Sequence, residues 1–239
     1  MKNLITFKQV AICFLFLMST FTVSAQWGNN ESNRIEEDRK VGNFDAVSVG
    51  YGIDVHLYQS RETSVSVKAR KETMQHIITE VKNGTLVIKI DNWKKRIRGG
   101  MDVTIHVPNL NKISASGGSD VYGKGSWKMD NLKINLSGGS DLEMELVANK
   151  LECNASGGSD IDLKGTAEKI DINCSGGSDV EARKFTVRHC TVNASGGSDV
   201  EIHASESINA SASGASDITY KGNPSKVKIQ SSGSSDISN

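Results

Sequence analysis

Four pairs of carboxylates, each split by one residue, follow one another along the chain: Asp141 and Glu143, Asp160 and Asp162, Asp179 and Glu181, Asp199 and Glu201. In an extended segment residues i and i+2 share a face, so each pair projects two acids from one side of a strand. Such pairs support three chemistries. Oxygen-rich clusters hold calcium, two carboxylates flanking a glycosidic bond hydrolyse it, and aspartates at tight bends accept hydrogen bonds from backbone amides. Repetition separates them. A catalytic centre is a singular break in a pattern, and these pairs recur almost unchanged. Calcium solenoids with glycine-rich turns repeat at about half this spacing. The expectation is therefore a non-enzyme in which the eight acids form one outward stripe, a candidate binding surface, with no metal and no cofactor assigned. Stacked carboxylates repel, so hydroxyls, bend amides, raised pKa values or a cation must offset them.

The remaining chemistry-bearing residues are sparse. His56, His76, His106, His189 and His203 share no ligand spacing and read as surface or strand-edge residues. No nucleophile triad, phosphate-binding glycine loop or CxxC motif occurs. Lys94, Lys95, Arg96 and Arg98 beside Trp93 form one basic cluster, which reads as a solvated loop. With 28 Lys and Arg against 28 Asp and Glu, the chain carries no global charge to draw it to nucleic acid.

What positions the acids is a repeat. Ser-Gly-Gly-Ser-Asp occurs at 116–120, 137–141, 156–160, 175–179 and 195–199, followed by Ser-Gly-Ala-Ser-Asp at 213–217 and Ser-Gly-Ser-Ser-Asp at 232–236. Upstream of each copy alternate positions are aliphatic or small, as in Leu132/Ile134/Leu136 and Ile170/Ile172/Cys174, and the alternation resumes downstream, as in Ile161/Leu163 and Val200/Ile202. A period of two is a strand signal, and glycine pairs mark tight bends. Each unit of about 19 residues reads as a strand, a bend, a second strand and a return. One such unit cannot bury its aliphatic face alone, whereas stacked units can.

The fold class that follows is all-β: a single-stranded parallel β-helix, or β-solenoid, of about nine coils, with right-handedness favoured by the general bias of parallel crossovers. At about 4.8 Å per strand the rod would be roughly 43 Å long. Its thin core accounts for the scarcity of aromatic residues, 5% of the chain. Between the aliphatic positions of the strands, Asn135, Asn154, Asn173 and Asn193 form a second outward ladder whose side-chain amides can bond along the stack, read as structural with a glycan-binding surface as the alternative. Residues 41–239 make one β-helix domain, with irregular first coils at 41–112 and regular ones at 113–239. Within the first part Asn83-Gly84 is a tight turn, and Thr73 to Val81 a short helix or turn over the open end.

Residues 1–25 read as a signal peptide, with Lys2 and Lys8 before the apolar run Val10–Val23 and small residues at Val23-Ser24-Ala25. The run is too short for a membrane span. The mature chain is expected to begin at Gln26, with 26–40 disordered, in the periplasm, on the outer surface or secreted.

Phe44-Asp45-Ala46-Val47, Asn83-Gly84-Thr85-Leu86-Val87-Ile88, Val107-Pro108-Asn109-Leu110 and above all the recurring Gly-Ser-Asp resemble the head GIN domain family of autotransporter-adhesin-like proteins, common in Bacteroidota. The resemblance implies a right-handed β-helix with Gly-Ser-Asp at its sharp turns, an adhesive role by analogy of shape, and no catalytic residues.

Three function classes follow. The first is an exported cell-envelope module that binds a glycan or a cell-surface protein. The second is a structural component that self-associates end to end through its last coil, 227–239. The third is a polysaccharide-active enzyme. The thiols test the register on which all three depend. Cys153, Cys174 and Cys190 lie three, one and five positions before their bend serines. Cys153 and Cys174, on adjacent coils but two residues out of step, should stand roughly 8 Å apart, beyond disulfide reach. Titration of the mature chain should find about three thiols under denaturant and few when native; a count of one would refute the register.

Overall fold

The computed structural model describes residues 33–91 and 99–239. The signal-peptide segment and the basic cluster beside Trp93 lie outside the described residues. Strands come first in short pieces: β1 (Arg34–Asp38), β2 (Ala46–Val49), β3 (Asp54–Gln59) and β4 (Ser64–Arg70), then the short helix α1 (Lys71–Met74). They continue as β5 (Ile77–Lys82), β6 (Thr85–Ile90), β7 (Asp102–Val107) and β8 (Lys112–Ser116). Five long strands follow, β9 (Val121–Ser137), β10 (Leu142–Ser156), β11 (Asp160–Gly176), β12 (Asp179–Gly196) and β13 (Asp199–Gly214), and the described chain closes with β14 (Asp217–Lys221), β15 (Lys226–Gly233) and β16 (Asp236–Ser238). All belong to one 16-stranded sheet wound into a parallel β-solenoid of about 7 turns with a period near 19 residues.

From β8 onward chain order is stacking order. Each of β9 to β13 runs nearly from one bend to the next, so the return is strand rather than loop and pairs with the coils on either side. Register shifts after Met144, Asp162 and Ala182 let the coils differ in length without losing the pairing of their bends. Inward positions stack like on like: Leu132, Leu151, Ile170, Cys190 and Ile208 form one row, and Leu136, Ala155, Cys174, Ala194 and Ala212 another. Trp127 and Phe185 are the bulkiest fully buried side chains. In the row they share with Leu146, Gly165 lies between Leu146 and Phe185 and brings the backbones close, since a Cβ on it would sit 2.0 Å from the Leu146 carbonyl oxygen. Cys153 faces Ile172, two residues short of Cys174, and the three cysteines are buried and unbridged. Burial pushes the Cys174 thiol up to about 11 and Cys190 up to about 12, so both stay protonated and unreactive at neutral pH.

The count of about nine coils includes two layers that do not follow this order. β2 and β3 pair with β8 and β9 on one side and with β6 and β7 on the other. The chain thus lays down the second layer first, passes over the end of the solenoid, returns as the first layer and only then crosses to β8. The excursion is antiparallel: β4 pairs with β7, β5 with β6, and β1 with β4. Residues 41–112 are therefore two coils plus a cap rather than a frayed run of coils. Asn83 and Gly84 turn β5 into β6 with φ of 50° and 74°, the conformation expected of that dipeptide. The helix expected from Thr73 to Val81 is confined to α1, and most of that stretch is β5. Residues 34–38, within the segment read from composition as disordered, form β1 because backbone pairing with β4 outweighs their polar character.

Two bend geometries alternate with position. In the bends at 116–120, 137–141 and 156–160 both glycines have positive φ; from 175–179 onward only the first does, as at Gly176 and Gly196. Ala215 and Ser234 stand at the second position in the last two bends, where no positive φ is needed. At Gly177 the space around a Cβ is open, whereas at Gly196, with φ of 85°, it would lie 2.8 Å from the Gly176 carbonyl oxygen. Gly177→Ala should leave stability unchanged or raise it by up to about 1 kcal/mol through loss of unfolded-chain entropy. Gly196→Ala should lower it by more than about 1 kcal/mol, from the left-handed backbone alone. Urea titration of the two variants checks this, and equal stabilities would count against the two geometries.

Candidate functional site

The bend builds the candidate site. In six successive bends the second serine of the motif points inward: Ser119, Ser140, Ser159, Ser178, Ser198 and Ser216 are completely buried, while Ser235 in the last bend is half-buried. Each buried hydroxyl meets backbone groups of its own bend or of a neighbouring coil. Ser178 Oγ accepts from the amides of Gly158 and Ser159 at 3.1 Å each, both on the preceding coil. Ser198 Oγ lies 3.1 Å from the carbonyl oxygen of Ser195 in its own bend and 3.3 Å from that of Cys174 one coil back, and accepts from the Ser195 amide at 3.2 Å. Ser216 repeats the pattern with Ser213 and Ala194. At the cap end Ser119 Oγ accepts from the Ile53 amide at 3.1 Å, joining the out-of-order layer to the same ladder.

With the serine inside, the aspartate that follows faces out. Asp160, Asp179, Asp199, Asp217 and Asp236 are directly opposed, coil to coil. The row extends through Asp141 and Asp120 to Asp54 and Asp102, because Val55 pairs with Val121 and Asp54 with Asp102. Two residues on, Glu143, Asp162, Glu181 and Glu201 are likewise opposed. The structure thus brings all eight stripe residues together in two adjacent rows, most of them exposed.

The repulsion is offset within the protein, by means only partly among those foreseen. Bend carboxylates take amides from the next coil rather than from their own bend: Asp199 N donates to Asp179 Oδ1 at 3.4 Å and Asp236 N to Asp217 Oδ1 at 3.1 Å. Cations come from neighbouring side chains. Lys164 Nζ lies 2.9 Å from Glu143 and 3.5 Å from Asp162, and Arg183 pairs with Glu201. The Lys164 hydrogen bond holds the Glu143 carboxyl below its ordinary value, and Glu143 in turn raises Lys164. These are solvent-exposed pairs, individually worth less than about 1 kcal/mol. Among the described residues no group of three or more His, Cys, Asp or Glu side chains converges as a metal cage.

The repeat is broken at the cap end, which the sequence did not reveal. There the second row reads His56 and Tyr122, with rings stacked at 5.3 Å, and beside it Tyr58 stacks on His106 at 4.9 Å. His56 Nε2 is 3.6 Å from Asp102, itself paired with Arg34, and the Tyr122 hydroxyl donates to Asp120 at 3.3 Å. Burial and repulsion from Asp120 raise the Asp54 pKa, and burial with the nearby Lys124 cation lowers that of His56. His56 and His106, which share no spacing in the sequence, become neighbours only because β3 and β7 pair. Ser64 Oγ lies 3.3 Å from His106 Nδ1 at the exposed rim, and the stacked rings pack across a layer junction.

The stripe generates a prediction. Asp160→Asn keeps the shape and removes one of three stacked like charges, so stability should change by less than about 1 kcal/mol. Differential scanning calorimetry should find a melting temperature that millimolar calcium shifts no more than magnesium does. A calcium-specific rise, blunted by Asp160→Asn, would establish the stripe as a cation site instead.

Comparison with known proteins sets this geometry in context. The family model described as "Putative auto-transporter adhesin, head GIN domain" matches residues 43–224. Among solved structures, a "putative adhesin" from Bacteroides fragilis superposes with a TM-score of 0.81 at 30% identity, over 87% of this chain and 97% of that one. A "putative adhesin" from Parabacteroides merdae gives 0.71 at 20% identity, over 88% and 97%. A "putative lipid binding protein" from Parabacteroides distasonis gives 0.69 at 21% identity, over 86% and 97%; these last two share the fold. No curated protein matches the chain. The match spans the cap, both out-of-order layers and most of the regular coils, and the chain belongs to the head GIN domain family.

Proposed function

We propose that the protein is an exported, non-catalytic binding module of the cell envelope that adheres to a glycan or a cell-surface protein through the outer faces of its coils. The observation that carries this reading is the in-register repetition of outward polar side chains from coil to coil, with the charges answered inside the protein. A rigid surface of this kind offers many equivalent weak contacts, and linked contacts combine into avidity without any strong individual site. Membership of a family named for adhesins supports the same reading. So does the regularity of the stripe, in which no coil stands out as a reaction centre. Among the described residues no helix is long and apolar enough to cross a membrane.

The second reading, a self-associating envelope component, draws on one observation. Val227 and Ile229 on β15 stand 48% and 41% exposed although they occupy the rows that are core in the preceding coil. Edge pairing between copies would cover them. The two readings separate in one experiment: the purified chain is applied to a glycan array and to fixed bacterial cells, with light scattering across concentrations. Retention on either surface by a monomer supports the binding module. A concentration-dependent rise in mass without retention favours assembly. Turnover of a glycan, abolished by a single stripe substitution, would establish an enzyme instead.

A further inference from the structure

We infer that the ligand groove of this module is the Asn and Ser face leading into the bends, and that it takes an extended, uncharged polysaccharide lying along the solenoid axis. The inference rests on the binding-module reading and locates its site away from the acidic stripe.

A concavity of about 440 Å³ runs across the coils from Ser114 to Ser175, and a second of about 330 Å³ continues over the same two rows from Asn193 to Ser232. One row is Ser114, Asn135, Asn154, Asn173 and Asn193, opposed residue to residue. Their amides bond head to tail, always from the later coil to the earlier: Asn154 to Asn135, Asn173 to Asn154 and Asn193 to Asn173, each at 3.0 Å. Asn135 completes the series by donating to Ser114 Oγ at 3.4 Å. A primary amide has two N–H donors and a carbonyl with two lone pairs. The ladder uses one donor on each and one lone pair on Asn135, Asn154 and Asn173. Asn154 spends its second donor on Glu152 at 3.2 Å. Asn135, Asn173 and Asn193 keep one, and every amide oxygen keeps acceptor capacity. The second row adds one serine hydroxyl per coil.

The result is a straight groove of neutral donors and acceptors repeating at strand spacing, about 4.8 Å. The ladder fixes each amide's orientation in advance, so little conformational freedom is lost on binding. The nature of the occupant follows by elimination. A peptide strand has no free backbone groups to pair with, because this is a sheet face, not an edge. An anionic polymer would find no cation to pair with, because among the described residues no charged side chain lines either concavity and the nearby Lys133, Lys150 and Lys169 are held by Glu152 and Asp171. An acyl chain would desolvate the amides without replacing their hydrogen bonds. A neutral glycan in extended form carries hydroxyls that both donate and accept along its whole length, and so can meet the donors and acceptors of successive coils. The acidic stripe, by contrast, offers carboxylate acceptors with few donors beside them, chiefly Lys164 and Arg183.

Affinity electrophoresis of the full chain tests the assignment, in native gels containing hydroxyethylcellulose, glucomannan or polygalacturonate. The wild type should be retarded by at least one neutral polymer and not by polygalacturonate. Asn173→Ala interrupts the amide series, and Ser175→Trp obstructs the groove without touching it; each should weaken retardation about tenfold or more. The double stripe variant Asp160→Asn, Glu181→Gln should behave as wild type. Melting curves establish that the variants are folded, and Ser175→Trp keeps the test decisive if Asn173→Ala is not. Absence of retardation by either neutral polymer, or its persistence in Ser175→Trp, would overturn the groove. Retention on cells that is lost in the stripe variant would overturn the groove while leaving the binding module standing. No retention on polymers or cells would overturn both.

Discussion

A serine hydroxyl buried inside each of six successive bends is the constraint on which the rest of this structure depends. A chain that reverses within five residues turns amides and carbonyls toward a dry interior, where an unpaired polar group costs about 1–3 kcal/mol. The motif's second serine answers those groups, and it does so partly on the neighbouring coil: Ser178 serves amides of residues 158 and 159, and Ser198 the carbonyl of Cys174. No coil is satisfied alone. Stacking is thereby enforced by polar groups as well as by the aliphatic rows, and the registers of successive bends are locked together.

That register determines what the surface presents. Alternation sends the residue after the buried serine outward, so the aspartates align whether or not alignment favours them, and amides and lysines of adjacent coils absorb the resulting repulsion. The same alternation places Asn135, Asn154, Asn173 and Asn193 in a file whose amides order one another. One face therefore presents mainly charged acceptors, and the other presents neutral donors and acceptors side by side. Both arise from a single backbone arrangement, which is how a neutral chain with few aromatics carries an extended recognition surface.

The regular coils were legible in the sequence because each uses the same residues for the same purpose: glycines where the bend turns, alternating aliphatics where the core lies, and no cysteine pair in register. The stripe was legible for the same reason. The buried serines were harder to read, since a serine beside an aspartate looks like surface in any composition-based view and its burial follows only once the bend is built. Asp54 ends a stretched copy of the repeat, Gly50-Tyr51-Gly52-Ile53-Asp54, whereas Asp102 was invisible as a member of the aspartate row because its layer lacks the motif and stacks in inverse chain order. Arg34–Asp38 became a strand through backbone pairing, to which side-chain character gives no clue. His56, Tyr58, His106 and Tyr122 cluster across β3, β7 and β9, with partners up to 66 residues apart joined by a topology that no local pattern encodes.

The account makes the buried serine, and not the adjacent exposed aspartate, the residue that secures each coil. Equilibrium urea unfolding of Ser178→Ala against Asp179→Asn measures this directly at neighbouring positions in one bend. The predicted result is a loss of about 1–3 kcal/mol for Ser178→Ala, because the buried Ser159 amide and the part-buried Gly158 amide lose their acceptor, and a change below about 1 kcal/mol for Asp179→Asn. Equal losses, or a larger loss at Asp179, would contradict it.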